Sequence, residues 1–275
     1  MVSIVVVGGV ALHIISELPP ENGEFVLSRM NVSLGGPAGA VARSLASLGH
    51  SPILISGFAE DAAGAMVQHL VARDGISPIR ALEVEATDIV FGWTENDDLS
   101  VIAHAFPTPE AAASLSYSAD IGYVSGFPGW SGCASSIDAS YLVVDLGFKP
   151  YLKSIDRLSQ AVRDVAQIAD AVFIGGASLS SEEVLTLLKI ARVAGLPLLC
   201  ISRGRRSAWV QVEGVPTRVD VEGTCSPLDV MSAGDALVAG FIDSISRGNS
   251  PRDAVREGLS VASRGVATLG DGSTR

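Results

Sequence analysis

The amino-acid sequence predicts an α/β protein, in which a mainly parallel β-sheet lies between two layers of helices and a small β-sheet projects from this body. Short β-branched runs alternate along the chain with longer Ala- and Leu-rich segments of helical period, a pattern typical of parallel sheets covered on both faces. Two stretches break this alternation, because they contain strand-like pieces without a helix between them. With 48% hydrophobic and 18% charged residues in a chain of 275, the protein can bury a large core, which excludes intrinsic disorder.

Seven apolar runs are predicted to form the strands of the main sheet, because each is short and rich in aliphatic residues. They are Ile4–Val7, Pro52–Ile55, Ile121–Val124, Tyr141–Val144, Ala171–Ile174, Pro197–Ile201 and Ala208–Val212. Six further segments are predicted to be helices. They are about Pro37–Leu48, Asp61–Arg73, Tyr151–Ala166, Ser181–Val193, Asp235–Ser246 and Pro251–Thr268. Glycines that follow several of these segments, such as Gly49 and Gly195, support the predicted helix ends.

The two stretches without helices cover about residues 13–31 and 79–106, and they are predicted to form a lid on a single domain that spans residues 1–275. Their strand-like pieces are Glu24–Arg29, Leu82–Glu85, Ile89–Thr94 and Ser100–Ala105. A small sheet of this kind is consistent with a lid over a binding site, with a surface for dimer formation, or with both. A pair of ordinary surface hairpins is the alternative that the pattern leaves open.

Charge and cysteine content limit the function and the location of the protein. Lys and Arg total 19 and Asp and Glu total 30, which gives a net charge of −11 and argues against the broad basic surface that nucleic-acid binding needs. The three cysteines are far apart and odd in number, so a reducing compartment is expected. No apolar stretch reaches the length of a membrane span, and the apolar start at Ile4–Val7 is interpreted as a strand rather than a signal peptide. We therefore expect a cytoplasmic protein with no membrane partner.

The segment with the clearest chemical meaning is Ser232-Ala233-Gly234-Asp235, which leads directly into an apolar helix. A helix N-terminus presents unpaired N–H groups and a partial positive charge, and small side chains allow a phosphate to approach them closely. A carboxylate beside that anion, here Asp235, can take a proton from an attacking hydroxyl group. A simple capping role for Asp235 is the alternative that these residues leave open. Asp145, at the end of a predicted strand, is expected near the same site.

Several segments, in order and with fitting spacing, resemble the PfkB, or ribokinase-like, family of carbohydrate and nucleoside kinases. Residues 229–237 read D-V-M-S-A-G-D-A-L and resemble the family signature D-T-x-G-A-G-D-x-F. Residues 35–42 read G-G-P-A-G-A-V-A and resemble the signature G-G-x-x-x-N-x-A. Residues 57–64 and 202–204 resemble the G-x-G-x-D-x-x-G turn and the nucleotide loop of the family. The resemblance extends over nearly the whole chain and implies a three-layer, ribokinase-like body with a β-sheet lid.

The resemblance implies a reaction in which ATP, with Mg²⁺, donates its γ-phosphoryl group to a hydroxymethyl group of a small sugar or nucleoside. A monovalent cation is a further cofactor that the family leaves open. By this resemblance Asp235 is the general base, and the N–H groups of Ala233, Gly234 and Asp235, which follow Ser232, form an anion hole. The acceptor-binding positions that it implies are His13, Gly35, Gly36 and Ala40. The nucleotide-binding positions are Ser202, Arg203, Gly204 and Asp229. No metal ligand is assigned, and a homodimer through the lid is a further expectation.

Departures from the family pattern fall on the acceptor and metal positions. His13 stands where the family usually has a hydroxyl-binding Asp, and Ala40 stands where the first signature has Asn. Residues 175–178 read G-G-A-S in place of an Asn-x-x-Glu motif that helps to organise Mg²⁺. These losses leave a second hypothesis open, a catalytically weak or inactive sugar- or nucleotide-binding protein on the same scaffold. A third hypothesis, a nucleotide-cofactor oxidoreductase, rests only on Gly8-Gly9 after the first strand, where the G-x-G-x-x-G motif is absent.

Overall fold

The computed structural model describes residues 2–16, 30–76, 79–82, 84–95, 98–103, 116–125, 130–148, 154–204, 207–220 and 232–265. Within these segments the chain forms six α-helices, thirteen strands and a short 3-10 helix at Ser131–Ser136. The helices are α1 Pro37–Ser47, α2 Ala62–Arg73, α3 Ile155–Val165, α4 Ser181–Val193, α5 Ala233–Ser246 and α6 Pro251–Gly265. The strands are β1 Ile4–Val7, β2 Ala11–Ser16, β3 Met30–Gly35, β4 Ile53–Gly57, β5 Ile79–Leu82, β6 Asp88–Glu95, β7 Asp98–Ala103, β8 Tyr117–Ser125, β9 Ile137–Phe148, β10 Ala171–Gly175, β11 Leu198–Ser202, β12 Ser207–Val212 and β13 Val215–Asp220.

The larger of two sheets is mainly parallel, which confirms the prediction. Its nine described strands follow the order β13-β12-β11-β10-β9-β8-β1-β4-β5. From β11 to β5 all neighbouring strands are parallel, whereas β12 and β13 add an antiparallel hairpin at one edge. Parallel strands end at the same edge of a sheet, so the loops after β1, β8, β9, β10 and β11 come together there.

Helices cover both faces of this sheet, so the predicted three layers are confirmed. Successive side chains of a strand point to opposite faces, and β1 follows this rule. Val6 packs in one core cluster with residues of α1, α2, α5 and α6. Val5 and Val7 pack in the other cluster with residues of α3 and α4. Among the described helices, none combines the length and the apolar character that crossing a membrane would require.

The smaller sheet has four described strands in the order β3-β2-β6-β7, and it occupies the region where the sequence predicts a projecting β-sheet. Strand β2 pairs in parallel with β6, and the other two pairs are antiparallel. Strands β6 and β7 cover most of the predicted pieces Ile89–Thr94 and Ser100–Ala105. The predicted piece Glu24–Arg29 lies outside the described residues.

The second predicted lid stretch begins with a strand of the large sheet, which corrects its boundary at residue 79. Strand β5 pairs in parallel with β4 and ends at Leu82, and Val84 and Glu85 are in no strand, so the described residues of the predicted piece Leu82–Glu85 do not belong to the small sheet. Thr87, just before β6, is held by two hydrogen bonds to the body of the protein. Its Oγ1 accepts a bond from the N–H of Ala59 (2.8 Å), and its N–H donates to Asp61 Oδ2 (2.9 Å). These bonds fix the start of β6 beside the body of the protein.

Helices α5 and α6 pack against each other at two glycines. A Cβ atom at Gly240 of α5 would lie 2.8 Å from the Cβ of Val261 and 2.9 Å from the Cα of Gly258. A Cβ atom at Gly258 of α6 would overlap the carbonyl oxygen of Leu237. This close approach positions the first turns of α5, whose N-terminus carries the predicted anion-binding segment.

Candidate active site

The candidate site lies at the edge where the parallel strands of the large sheet end. Gly8 follows β1, Ser125 ends β8, and Asp145 lies near the end of β9. A Cβ atom at Gly8 would lie 2.5 Å from the Cβ of Ser125, so glycine is needed for the close approach of β1 and β8 at this point. Ligands of open α/β sheets bind outside the carboxyl ends of the strands. An active site is therefore expected at this edge of the sheet.

The N-terminus of α5 presents a row of backbone donors. Ser232 is the N-cap residue and its side chain makes no capping hydrogen bond. The N–H of Ala236 donates to the carbonyl oxygen of Ser232 at 2.9 Å, so the N–H groups of Ala233, Gly234 and Asp235 precede the first intrahelical bond. A Cβ atom at Gly234 would meet nothing within 4 Å. Glycine is therefore not required here by packing within the described protein, and its backbone stays open to a ligand.

Asp235 is half-buried in the first turn of α5. Burial raises its pKa well above the ordinary value, the negative charge of Asp145 raises it further, and the positive charge of Arg43 lowers it. A carboxyl group in this environment holds its proton at a higher pH than an exposed one, as a general base that works near neutral pH should.

The other acids at helix starts behave differently from Asp235. Asp61 caps α2 by accepting a hydrogen bond from the N–H of Gly64 at 2.7 Å, and backbone hydrogen bonds from Thr87 and Gly64 lower its pKa. The pKa of Asp253, in the first turn of α6, is also lowered, chiefly by a hydrogen bond from Ser250. Capping lowers the pKa of a carboxyl group because it stabilises the charged form. The raised pKa of Asp235 is therefore opposite to what a capping role produces.

Asp145 is the second acid of the site. It is half-buried, its Oδ1 accepts a hydrogen bond from the N–H of Gly147 at 2.8 Å, and burial raises its pKa to about 6 although that bond opposes the shift. The pKa of the fully buried Tyr123 hydroxyl is raised by burial and then by the charges of both Asp145 and Asp235. The two carboxyl groups thus flank the same part of β8, as the strand-end argument predicts for Asp145.

Arg43 brings a positive charge to the site that sequence reasoning missed. It lies on α1, is only 5% exposed, and lowers the pKa of both Asp235 and His13. Its helix packs against α5. The sequence feature that could have indicated Arg43 is its position between Val41 and Leu45, which are both buried. A charged residue on an apolar helix face is buried only when it has a partner.

His13 contacts two of the other predicted acceptor positions, Gly35 and Gly36. The N–H of Gly36 donates to His13 Nε2 at 2.9 Å, and a methyl group at position 35 would overlap the imidazole ring. Burial, and then the charge of Arg43, lower the pKa of His13 to about 3, so the ring is neutral with Nε2 as an acceptor. Ala40 is fully buried in α1 and offers no polar group.

The predicted nucleotide-binding segment lies at the end of β11. Arg203 Nη1 donates to the carbonyl oxygens of Gly176 (2.8 Å) and Leu179, in the loop where the family has its Asn-x-x-Glu motif. The guanidinium group therefore stabilises this loop, and it donates to backbone carbonyl oxygens of the loop rather than pointing into an open cleft. Ser202 is half-buried and Gly204 is exposed. Asp229 lies outside the described residues.

The described carboxyl groups of the site are too few to hold a metal ion by themselves. Within the described parts of the chain, no group of three or more His, Cys, Asp or Glu residues could hold a metal ion. Asp145 and Asp235 provide two carboxylates, which suits Mg²⁺ that arrives with nucleotide phosphates and keeps most of its water ligands. The described residues do not fit a metal held by protein ligands alone.

The chain matches the model of the pfkB family of carbohydrate kinases over residues 1–274. Comparison with curated protein sequences gave no match. The match to a family of carbohydrate kinases does not support the hypothesis that the protein is a nucleotide-cofactor oxidoreductase.

Solved structures of kinases share the fold. A ribokinase from Thermotoga maritima is 19% identical, with a TM-score of 0.77, over 99% of this chain and 95% of its own. A nucleoside kinase from Methanocaldococcus jannaschii is 16% identical, with a TM-score of 0.73, over 100% and 94%. An Arabidopsis thaliana ribokinase complexed with ribose and ATP is 17% identical, with a TM-score of 0.72, over 98% and 94%.

Proposed function

Because the chain belongs to the pfkB family of carbohydrate kinases, we propose that it transfers the γ-phosphoryl group of ATP to a hydroxymethyl group of a small sugar or nucleoside. The observation that carries this proposal is the N-terminus of α5. There a carboxyl group with a raised pKa lies next to three backbone N–H groups that precede the first helical bond. The Arabidopsis ribokinase binds ribose and ATP, which supports the same choice of substrates.

The chemistry divides between Asp235 and the backbone of α5. Asp235 accepts the proton of the attacking hydroxyl group, which increases the nucleophilicity of the oxygen. The N–H groups of Ala233, Gly234 and Asp235 donate to the phosphoryl oxygens and stabilise the charge that develops as the group is transferred. Mg²⁺, when bound with ATP, would neutralise phosphate charge, and Asp145 and Asp235 are the described carboxylates that could bind its water ligands.

A second candidate function is sugar or nucleotide binding without efficient catalysis. It is favoured by the acceptor side of the site, where Ala40 has no polar group and the Nε2 atom of His13 already accepts a bond from Gly36. It is also favoured by the glycines at 175 and 176, where a motif that organises Mg²⁺ is expected.

A substrate-panel assay separates these two functions. The protein is incubated with ATP and Mg²⁺ and with each of a set of sugars and nucleosides, and phosphorylated products are detected by mass. A product whose mass exceeds that of the acceptor by one phosphoryl group supports the kinase. Thermal stabilisation by an acceptor, without product from any compound of the set, would instead support the binding protein.

We predict that Asp145→Asn shifts the acid limb of the pH profile of kcat/KM to lower pH. The substitution removes a negative charge that favours the protonated form of Asp235, so the pKa of Asp235 falls and the base is active at lower pH. Asp138→Asn is the matched control, because Asp138 is exposed at the opposite end of the same strand. An unchanged or upward-shifted acid limb would contradict the coupling of the two carboxyl groups.

We predict that Gly234→Ala reduces activity without lowering stability. Alanine is favoured over glycine inside a helix by about 0.5–1 kcal/mol, and the new methyl group meets no described atom within 4 Å. It would occupy space that a phosphate needs, so kcat/KM for ATP should fall about 10- to 100-fold. Gly132→Ala, another glycine with open space at the Cβ position, should leave both properties unchanged. A fully active, stable Gly234→Ala protein would contradict the anion hole.

We propose that the protein forms a homodimer through the outer face of the small sheet and acts in the cytoplasm. Met30, Val32 and Ile89 are exposed, and the strand registers place them on one face, opposite to that of His13. Burial of this apolar surface would favour association.

The described cysteines, Cys133 and Cys200, are free and buried. This agrees with the proposed location in the cytoplasm, a reducing compartment that supplies ATP.

A further inference from the structure

Asp88, the first residue of β6, is a buried acid with no described partner. The residue is only 6% exposed, and the hydrogen bonds and ion pairs of the described residues include none to its carboxyl group. A buried carboxylate without a partner destabilises the folded protein. Such a group in a native structure needs an explanation, and a bound ligand that completes its hydrogen bonds is one.

The register of the small sheet places Asp88 beside the predicted acceptor positions. Ala11 of β2 pairs with Asp88, and His13 pairs with Val90. Because side chains alternate along each strand, Asp88, Ala11 and His13 lie on the same face. Ala11 contributes only a methyl group, so it offers the neighbouring carboxyl group no hydrogen bond. The acid that the family pattern has at position 13 is thus absent from β2, while another acid stands on the adjacent strand.

The backbone on either side of Asp88 is held in place. Thr87 is anchored to the body by its bonds with Ala59 and Asp61, and residues 88–93 continue the parallel pairing with β2. Asp88 therefore lies at the base of the small sheet, where that sheet joins the body, and not on a free loop.

The electrostatics of Asp88 indicate the chemistry of its ligand. Burial raises its pKa to about 7, and no positive charge among the described residues opposes this shift, whereas the charge of Arg43 lowers the pKa of Asp235. The side chain can accept a hydrogen bond from a hydroxyl group. It would repel an acceptor that carries a carboxylate or a phosphate, because no described residue lowers its pKa with a positive charge that could compensate a second negative one.

We propose that Asp88 binds the phosphate acceptor by accepting a hydrogen bond from one of its hydroxyl groups, and that this acceptor is a neutral, hydroxyl-rich molecule rather than a sugar acid or a sugar phosphate. The proposal rests on the proposed kinase function, since it concerns the acceptor of that reaction. Asp88 then supplies from β6 the hydroxyl-binding carboxyl group that β2 lacks at His13.

The test compares Asp88→Asn with the wild-type protein and with Glu85→Gln, a control that removes one negative charge from an exposed position nearby. Binding is measured at pH 8 by thermal shift and calorimetry. The neutral probes are D-ribose, D-fructose and adenosine, and the anionic probes are D-gluconate and fructose 6-phosphate. For any probe that is phosphorylated, KM and kcat are measured separately.

We expect at least one neutral probe, and neither anionic probe, to bind the wild-type protein. Asp88→Asn should weaken that binding about tenfold or more and raise KM for the acceptor by a similar factor, with little change in kcat or in KM for ATP. The same variant should melt at a higher temperature than the wild type without ligand at pH 8, because it removes a carboxylate whose charged form burial disfavours. Glu85→Gln should change neither binding nor melting temperature.

The outcomes separate this inference from the proposed function. Equal binding of a neutral probe by Asp88→Asn and wild type overturns the role of Asp88, even if the probe is phosphorylated and the kinase function stands. Asp88-dependent binding without phosphorylated product supports the inference and counts against the kinase. Binding of anionic probes only, binding of no neutral probe, or a lower melting temperature for Asp88→Asn would overturn the inference.

Discussion

Asp235→Asn is expected to reduce kcat for phosphoryl transfer by about 10²- to 10⁴-fold, the range that a general base contributes, while the protein stays folded. Asparagine has nearly the same shape as aspartate but cannot accept the proton of the attacking hydroxyl group. The substitution also removes an acid whose pKa burial has raised. An acid with a raised pKa destabilises the folded state at every pH above its ordinary pKa, so at pH 8 the variant should melt at the same temperature as the wild type or higher.

The matched control for this prediction is Asp253→Asn, because Asp253 is also an acid in the first turn of a helix. If Asp235 had only a capping role, Asp235→Asn, like Asp253→Asn, would leave activity intact and would change the free energy of unfolding little, because asparagine and aspartate cap helices about equally well. Activity is measured by mass detection of product with the acceptor that the panel identifies, and stability by thermal denaturation. An active Asp235→Asn protein would rule out the assignment of the base.

Several helix starts were predictable from the sequence because they depend on neighbouring residues, whereas the helix predicted from Tyr151 begins at Ile155, after the N-cap Ser154. Ser180 and Glu183 form a capping box at the start of α4, with Glu183 N–H donating to Ser180 Oγ at 3.2 Å, and α4 covers the predicted Ser181–Val193. Pro37 begins α1, and Asp61 caps α2. In each case the side chain that determines the start of the helix lies within a few residues of it, so a local pattern is enough.

The sheet was predicted less completely, because strand pairing is not a local property. Strand β13 was not predicted, since its alternating exposed and half-buried positions give a weak apolar signal and it is stabilised by antiparallel pairing with β12. The sequence pattern places the whole stretch 79–106 in the small sheet, although its first residues, Ile79–Leu82, pair with β4 of the large one. The sequence identifies a strand-like run, but its partner depends on contacts with residues that are distant along the chain.

The same distinction applies to the candidate site. The segment 232–235 could be located from its small residues and the acid that follows them, because a helix N-terminus is a local feature. Arg43 and Asp88 could not, since each reaches the site from an element that is distant in sequence. Arg43 depends on the packing of α1 against α5, and Asp88 on the register of β6 against β2. Both are charged residues in buried positions, which is a signal only once burial is known.

Gly258→Val is expected to lower the free energy of unfolding by about 1–3 kcal/mol, the usual cost of overpacking, and to reduce activity although Gly258 lies outside the site. The Cβ of valine would overlap the carbonyl oxygen of Leu237 and approach the N–H of Phe241, which is 3.1 Å from the Cβ position. Leu237 is two residues after Asp235, so relief of the overlap must move the first turns of α5. Such a movement displaces the base and the N–H groups together.

Glu257→Val is the matched control, because Glu257 is exposed on the same helix and acquires the same β-branched side chain. It should leave the melting temperature nearly unchanged, whereas Gly258→Val should lower it by about 2–4 °C for each kcal/mol lost. Activity is assayed well below both melting temperatures, so that unfolding does not contribute. A Gly258→Val protein that is destabilised but fully active would mean that α5 holds the base in place without support from α6, because only the contact between the two helices has changed.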